Sequence, residues 1–92
     1  MTMELPQTVK ISESALIQKV SGEMVILDME SGQYYTLNEV ASDMLDHLQA
    51  GLNLDAVVVK ICEKYEATTA EVTNDLNEML ITLLEKQLVQ PA

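Results

Sequence analysis

The stretch that decides the fold is Gly32-Gln33-Tyr34-Tyr35-Thr36-Leu37-Asn38. It predicts a β-strand over Gln33–Leu37 that leaves a glycine turn and runs directly into a helix cap. The strand contains no charged residue and no proline, which are the usual protections of an exposed strand edge. Either a neighbouring strand of the same fold covers this edge, or the edge binds a peptide from another chain.

Two further strands are predicted before this one. Residues 15–20 show the pattern of a half-buried strand. Met24-Val25-Ile26-Leu27 is a continuous apolar run, as expected for a central strand that is shielded on both faces. Turn signals at Ser21-Gly22 and Glu30-Ser31-Gly32 connect the three strands into an antiparallel meander, in which the first and third strands are the edges.

After the third strand the apolar spacing changes from two to about 3.6 residues, and three helices are predicted. Asn38 caps the first helix, which ends at Gly51, and Asn53 caps the second. Thr68-Thr69-Ala70-Glu71 is a capping box for the third helix, which runs to about Gln87. The fold class is therefore α+β: a three-stranded antiparallel meander followed by three helices, similar to a winged helix-turn-helix.

One domain is predicted over residues 1–92. The chain has 92 residues, of which 48% are hydrophobic and 22% charged, and this composition suits a single globular core. Residues 1–12 are weakly patterned. Val9 and Ile11 alternate with polar residues there, which predicts either a short strand or an arm.

The predicted third helix has more apolar surface than one core contact needs. Its apolar residues are Val72, Leu76, Met79, Leu80, Ile81, Leu83 and Leu84, followed by Leu88. They cover an arc of roughly 200°, whereas a helix that faces a single core needs somewhat more than about 100°. The excess either packs on two elements of the same domain or forms one wall of a groove beside the strand at 33–37.

The charge of the chain limits its partners. Fifteen acidic residues stand against five lysines, there is no arginine, and the formal net charge is −10. Nucleic acids and anionic membrane surfaces are bound through basic residues, so neither is an expected partner. A cationic or neutral peptide or protein is compatible with this charge, and so is a protein whose acids only maintain solubility.

No catalytic or metal-binding constellation is predicted. His47 is the only histidine and Cys62 the only cysteine, and no serine or cysteine has a base at a recognisable spacing. Zinc sites need several histidine or cysteine ligands. We therefore expect no metal, no cofactor and no enzymatic activity. Cys62 lies in an apolar helical pattern and is expected to be buried.

The location expected for the protein is the cytoplasm. The N-terminus lacks a basic region followed by an apolar run, so no signal peptide is expected. No window approaches the ~18 consecutive apolar residues of a membrane span.

A set of residues between about Ala15 and Val89 carries a family resemblance. Its members are the run Gly32–Ala41, Met44-Leu45, Leu48, Gly51, Tyr65, Asp75-Leu76, Met79-Leu80, Leu83 and Leu88-Val89. This set resembles the PqqD-like family of recognition elements for ribosomally synthesised and modified peptides. Two positions depart from the family pattern: Leu45 stands where the family often has tryptophan, and Gln87 where it often has glycine.

The resemblance implies a domain that binds the leader region of a precursor peptide. In this family the leader adds as a strand to the meander's last strand and lies against the third helix. The peptide-binding residues that the resemblance implies here are Gln33, Tyr34, Tyr35, Thr36 and Leu37 on the strand and Val72, Asp75, Leu76 and Met79 on the helix. Acidic residues such as Asp75 would favour a leader that carries lysine.

Four possibilities remain open for the function and its partner. The chain looks most similar to the stand-alone leader-binding proteins of split lasso-peptide systems, which deliver the precursor to a separate leader peptidase. The alternative within the family is an accessory chaperone of pyrroloquinoline quinone biosynthesis, which presents a precursor to a radical SAM enzyme. Outside the family, the unprotected strand would pair with its twin in a homodimer that has no peptide ligand, or the acids would make the protein a DNA mimic.

Overall fold

The structure, a computed structural model, describes residues 5–92. Within this range the elements are β1 (Val9–Ile11), β2 (Ala15–Val20), β3 (Glu23–Asp28), β4 (Tyr34–Leu37), α1 (Glu39–Gln49), α2 (Leu54–Lys64), α3 (Thr69–Glu85) and β5 (Val89–Pro91). The predicted α+β class, with an antiparallel meander before three helices, is confirmed.

The meander is the sheet β2-β3-β4, and both connections are antiparallel. Its turns use Gly22 and Gly32 at φ values of 82° and 76°, a backbone conformation that glycine adopts without steric cost. One face of the central strand is buried, with Met24 and Ile26 both at 0% exposure. The other face of β3 is only partly covered, so the expectation of shielding on both faces is wrong for one of them.

A second, two-stranded sheet joins the two ends of the chain. β1 pairs with β5, and Lys10 lies opposite Gln90. Ser12 strengthens this junction, because its Oγ donates to the Gln87 carbonyl at 2.7 Å and its N–H donates to the Leu88 carbonyl at 3.0 Å. Val9–Ile11 is therefore a strand and not an arm, whereas residues 1–4 of the predicted arm lie outside the described residues.

Each helix begins at its predicted cap. The side chains of Asn38 and Asn53 accept hydrogen bonds from the Ala41 and Ala56 amides at 2.9 Å. Thr68 caps α3 in the same way, so three orphan donors of the first turns are satisfied locally.

The last helix ends two residues earlier than predicted, at Glu85. Gln87 has a φ of 59°, in the left-handed region where a side chain is disfavoured and glycine is not. The position that often holds glycine in the resembling family therefore needs this conformation to turn the chain from α3 into β5.

The core lies between the inner face of the meander and the three helices. Its largest fully buried side chains are Met24, Ile26, Met44, Leu45, Leu48, Val57, Ile61, Leu76, Leu80 and Leu83. Much of the excess apolar surface of the last helix is covered within the domain, because Leu88 is 3% exposed and Leu84 packs against the same core.

Asp43 links α1 to the end of α2 through hydrogen bonds. Its Oδ2 accepts hydrogen bonds from the Tyr65 hydroxyl at 2.6 Å and from Lys64 Nζ at 2.8 Å. Partial burial opposes the charge of this carboxyl, but the hydrogen bonds from Lys64 and Tyr65 outweigh it and lower the pKa of Asp43.

The backbone groups of β4 are divided between two sides. The Asp28 amide donates to the Gln33 carbonyl across the β3–β4 turn at 2.8 Å. Bonded and non-bonded residue pairs alternate along an antiparallel ladder. Counting from this bond, Tyr35 and Leu37 direct their N–H and C=O groups at β3.

The alternate residues, Tyr34 and Thr36, direct their N–H and C=O groups away from β3. No other strand within residues 5–92 pairs with β4. Two donors and two acceptors of the backbone therefore lie on an open edge of the sheet.

Leu80→Ala is expected to lower the free energy of unfolding by about 2–5 kcal/mol, because Leu80 is fully buried and its loss leaves a cavity in the core. Val59→Ala on the exposed side of α2 is the matched control and should change stability by less than about 0.5 kcal/mol. Urea unfolding measures both. Equal effects would show that α3 does not pack in the core as described.

Thr36→Pro is expected to leave the domain folded, because the lost N–H points to the open edge and bonds to no strand. Tyr35→Pro should cost more than about 2 kcal/mol, since it removes a ladder bond to β3 and leaves a carbonyl there without its donor. Thermal and urea unfolding of the two variants compare them. A Thr36→Pro variant that unfolds as readily as Tyr35→Pro would place the edge on the other side of the strand.

Candidate functional site

A groove of about 400 Å³ lies between the open edge of β4 and the side of α3. We call it the β4–α3 groove. Its lining residues are Tyr35, Thr36, Leu37 and Asn38 from the end of the sheet, Val40, Ala41 and Met44 from α1, and Asp75, Glu78, Met79 and Thr82 from α3.

The floor of the groove is apolar. Met79 and Met44 are 7% and 1% exposed, and Leu37 beside them is also buried. Methionine side chains are flexible and polarizable, so they adapt to apolar groups of different shape. The floor is therefore suited to receiving aliphatic or aromatic side chains from a bound partner.

The wall that α3 contributes is acidic. Asp75 and Glu78 both line the groove and both are exposed. In residues 5–92 the lysine ion pairs engage other carboxylates, those of Asp46 and Asp43. The charged lining of the groove is therefore negative, and no lysine within ion-pair distance neutralises it.

Several implied peptide-binding residues meet in this groove. They are Tyr35, Thr36 and Leu37 on the strand and Asp75 and Met79 on the helix. On the strand, Thr36 offers its backbone groups and Tyr35 its half-buried ring, whereas the helix residues offer a carboxylate and a thioether.

The remaining implied residues lie elsewhere. Gln33 and Tyr34 border a smaller recess that Lys86 also lines, and the Tyr34 side chain is 71% exposed. Val72 and Leu76 are buried in the core at 3% and 1% exposure and do not line the groove. A role in peptide binding stays a prediction for all four residues. In this structure Val72 and Leu76 pack in the core.

Some lining residues were not among those implied. Glu78 and Thr82 follow Asp75 at three and seven residues, a helical spacing that places them on one face, so this spacing is the signal that finds them. Val40, Ala41 and Met44 of α1 also line the groove. Whether these side chains face the groove depends on how closely α3 approaches α1 and β4. A local sequence pattern carries no information about that distance.

The described residues hold no group of three or more His, Cys, Asp or Glu side chains that would bind a metal ion. Across the same residues, no helix combines the length and the hydropathy that crossing a bilayer requires. A second cleft, of about 490 Å³, separates α2 from the start of α3 and contains no part of β4.

Comparisons with known proteins agree with this fold. TbiB1, solved in complex with the TbiA(beta) leader peptide, is 29% identical to this chain, with a TM-score of 0.81 over 90% of this chain and 96% of that chain. A lasso peptide synthetase B1 complexed with the leader peptide has the same fold, with 23% identity and a TM-score of 0.83 over 90% of this chain and 98% of that chain.

A comparison with curated proteins found no match for this chain. The family model for coenzyme PQQ synthesis protein D (PqqD) matches residues 23–89, which extend from the central strand of the meander to the final strand. Because this match spans well over half of the sequence, the chain belongs to the PqqD family.

Proposed function

We propose that this protein binds the leader region of a ribosomally synthesised precursor peptide, which adds to β4 as a fourth strand and rests in the β4–α3 groove. The observation that carries this proposal is the open edge of β4 directly beside a groove with an apolar floor and an acidic wall. The leader-peptide complex of TbiB1 supports it, because that protein shares the fold at 29% identity.

The strand edge accounts for only part of the binding energy. Tyr34 and Thr36 together present two backbone donors and two acceptors, so a peptide strand gains about four hydrogen bonds. At a net ~1 kcal/mol each these bonds supply ~4 kcal/mol, which corresponds to millimolar affinity. Backbone bonds also carry little sequence information, since nearly every peptide offers the same groups.

The groove supplies the rest of the affinity and the choice of peptide. Micromolar binding needs about 8 kcal/mol, so at least two apolar anchors at about 1.5–3 kcal/mol each are required, before ordering costs. Side chains of a strand alternate between its two faces. The anchors are therefore two residues apart in the peptide, and they contact the floor formed by Met44 and Met79.

The bound peptide is passed on to a maturation enzyme, and the domain itself performs no chemistry. A leader peptidase of a lasso-peptide system is the favoured recipient, because the tyrosine-rich strand resembles the leader-binding proteins of such systems and a lasso peptide synthetase B1 shares the fold. The second candidate is a radical SAM enzyme of pyrroloquinoline quinone biosynthesis, which the matching PqqD family model favours. Both assignments place the protein in the cytoplasm.

Hydrogen exchange tests the strand addition. Selection of a displayed library of random peptides on the immobilised protein supplies a ligand. At saturation with that ligand, the amides of Tyr34 and Thr36 should exchange about tenfold or more slowly, because they gain acceptors. The amides of Tyr35 and Leu37, which already bond to β3, should change little.

A variant at the strand edge provides a second test of strand addition. Thr36→Pro removes one backbone donor at the open edge and leaves the hydrogen bonds to β3 intact. It should lower the affinity for the selected peptide by about fivefold or more. Unchanged exchange at Tyr34 and Thr36 under saturation rejects strand addition at β4, and a library that yields no binder rejects peptide recognition altogether.

Met79→Glu tests the groove. This change is expected to lower the affinity for the selected peptide by at least about 100-fold, because the new carboxylate would be buried against an apolar side chain of the peptide without an ion-pair or hydrogen-bond partner. Met29→Glu is the matched control, since Met29 is 59% exposed and lies outside the groove, and it adds the same charge.

Isothermal titration measures both affinities, and circular dichroism checks that each variant is folded. Met79→Gln, which is polar but uncharged, should weaken binding less than Met79→Glu and in the same direction. Retained affinity in both Met79 variants would move the anchor pocket to another surface.

A further inference from the structure

We propose that opposite charges beside the two ends of β4, that of Lys86 near its start and those of Asp75 and Glu78 in the β4–α3 groove near its end, fix the direction in which a peptide adds to this strand. This inference rests on the proposed function and deepens it. An open strand edge accepts a partner in either direction, because parallel and antiparallel ladders both satisfy its N–H and C=O groups. The backbone alone therefore leaves the direction undecided, and side chains beside the edge must decide it.

The positive charge is that of Lys86, the C-cap residue of α3, which lies near the β4–α3 groove but is not one of its lining residues. Its Nζ lies 5.9 Å from the centre of the Tyr35 ring. It also lines the recess that contains Gln33 and Tyr34, at the beginning of β4. The C-terminal end of α3 is therefore placed beside the N-terminal end of β4.

A carboxylate near this end, that of Asp28, is engaged in its own turn. It accepts hydrogen bonds from Ser31 Oγ at 2.9 Å and from the Glu30 amide at 3.1 Å. The hydrogen bond from Ser31, followed by that from the Glu30 amide, lowers the pKa of Asp28. No ion pair joins Asp28 to Lys86 within residues 5–92, so the lysine stays available to a peptide carboxylate.

The negative end is formed by Asp75 and Glu78. Both precede Lys86 on α3, so they lie toward the other end of β4, where Asn38 also lines the groove. The charged groups beside β4 thus run from one lysine near the start of the strand to two carboxylates in the groove near its end.

The spacing of these charges specifies a pattern in the peptide. Glu78 and Lys86 are about 12 Å apart along α3 at 1.5 Å per residue. An extended peptide covers about 13 Å in four residues. Side chains on the same face of a strand are separated by even numbers of residues. A peptide that satisfies both ends therefore carries a basic and an acidic residue four positions apart.

A given peptide satisfies both charges in one direction only. In the reverse direction each of its charged residues meets a like charge on α3. Exposed pairs of this kind change affinity by a few-fold each, so two ends together give about a tenfold preference for one direction. The preference should shrink in about 0.5 M salt, where the Debye length falls to about 4 Å.

The test compares three proteins in the same selection from a random peptide library. The first is the unchanged protein. The reversed variant carries Asp75→Asn, Glu78→Lys and Lys86→Glu. The control variant carries the same kinds of change at exposed positions outside the groove: Asp55→Asn, Glu85→Lys and Lys60→Glu. Both variants have the same net charge, so general attraction of basic peptides is equal in them.

Peptides selected on the unchanged protein should carry the two charges four positions apart in one dominant order. The order should invert on the reversed variant and stay the same on the control variant. Individual peptides of opposite order should differ about tenfold in dissociation constant on each protein. Selected binders that show no charge pair, or the same order on all three proteins, would overturn this inference and leave the proposed function standing. No binder on any of the three would overturn both.

Discussion

The pairing of β4 with β3 is the interaction on which the rest of the structure depends. Its register sets Ile26 opposite Tyr35, and it directs Tyr35 and Leu37 toward the core. The same register turns the backbone groups of Tyr34 and Thr36 to the open edge. A slip of one residue would expose the apolar side chains and bury the polar ones. Burial of the core and presentation of a free edge are therefore one constraint.

Different sides of the last helix face the core and the groove. Leu80 and Leu83 are fully buried and hold α3 in place, whereas Asp75 and Glu78 are exposed along the groove. Met79 belongs to both sides, since it is almost completely buried and also lines the groove. The packed core therefore fixes the distance between α3 and β4.

Features with local causes were predictable from the sequence. The caps at Asn38, Asn53 and Thr68 depend on one side chain and the amide three residues later, and each is found where it was expected. The pairing of β1 with β5 was not predicted, because its partners lie at opposite ends of the chain and three-residue strands leave almost no periodic signal. The lining of the groove was predictable only in part. Helical spacing shows which residues of α3 share a face, but only packing decides which flank of that face meets β4, and for this reason Val72 and Leu76 lie in the core while Glu78 and Thr82 reach the groove.

The same geometry argues against self-association through β4. A twin strand that added to this edge would offer the backbone bonds of a peptide, worth about 4 kcal/mol in total. Its inward side chains, Tyr35 and Leu37, are already packed in their own domain and cannot reach the floor of a partner's groove. Two chains of net charge −10 would also repel each other as their acidic grooves approached. A flexible foreign peptide meets none of these obstacles, because its side chains are free to enter the groove and its charges are free to complement it. The edge that is open in this domain is therefore better matched to a peptide than to a second copy of the chain.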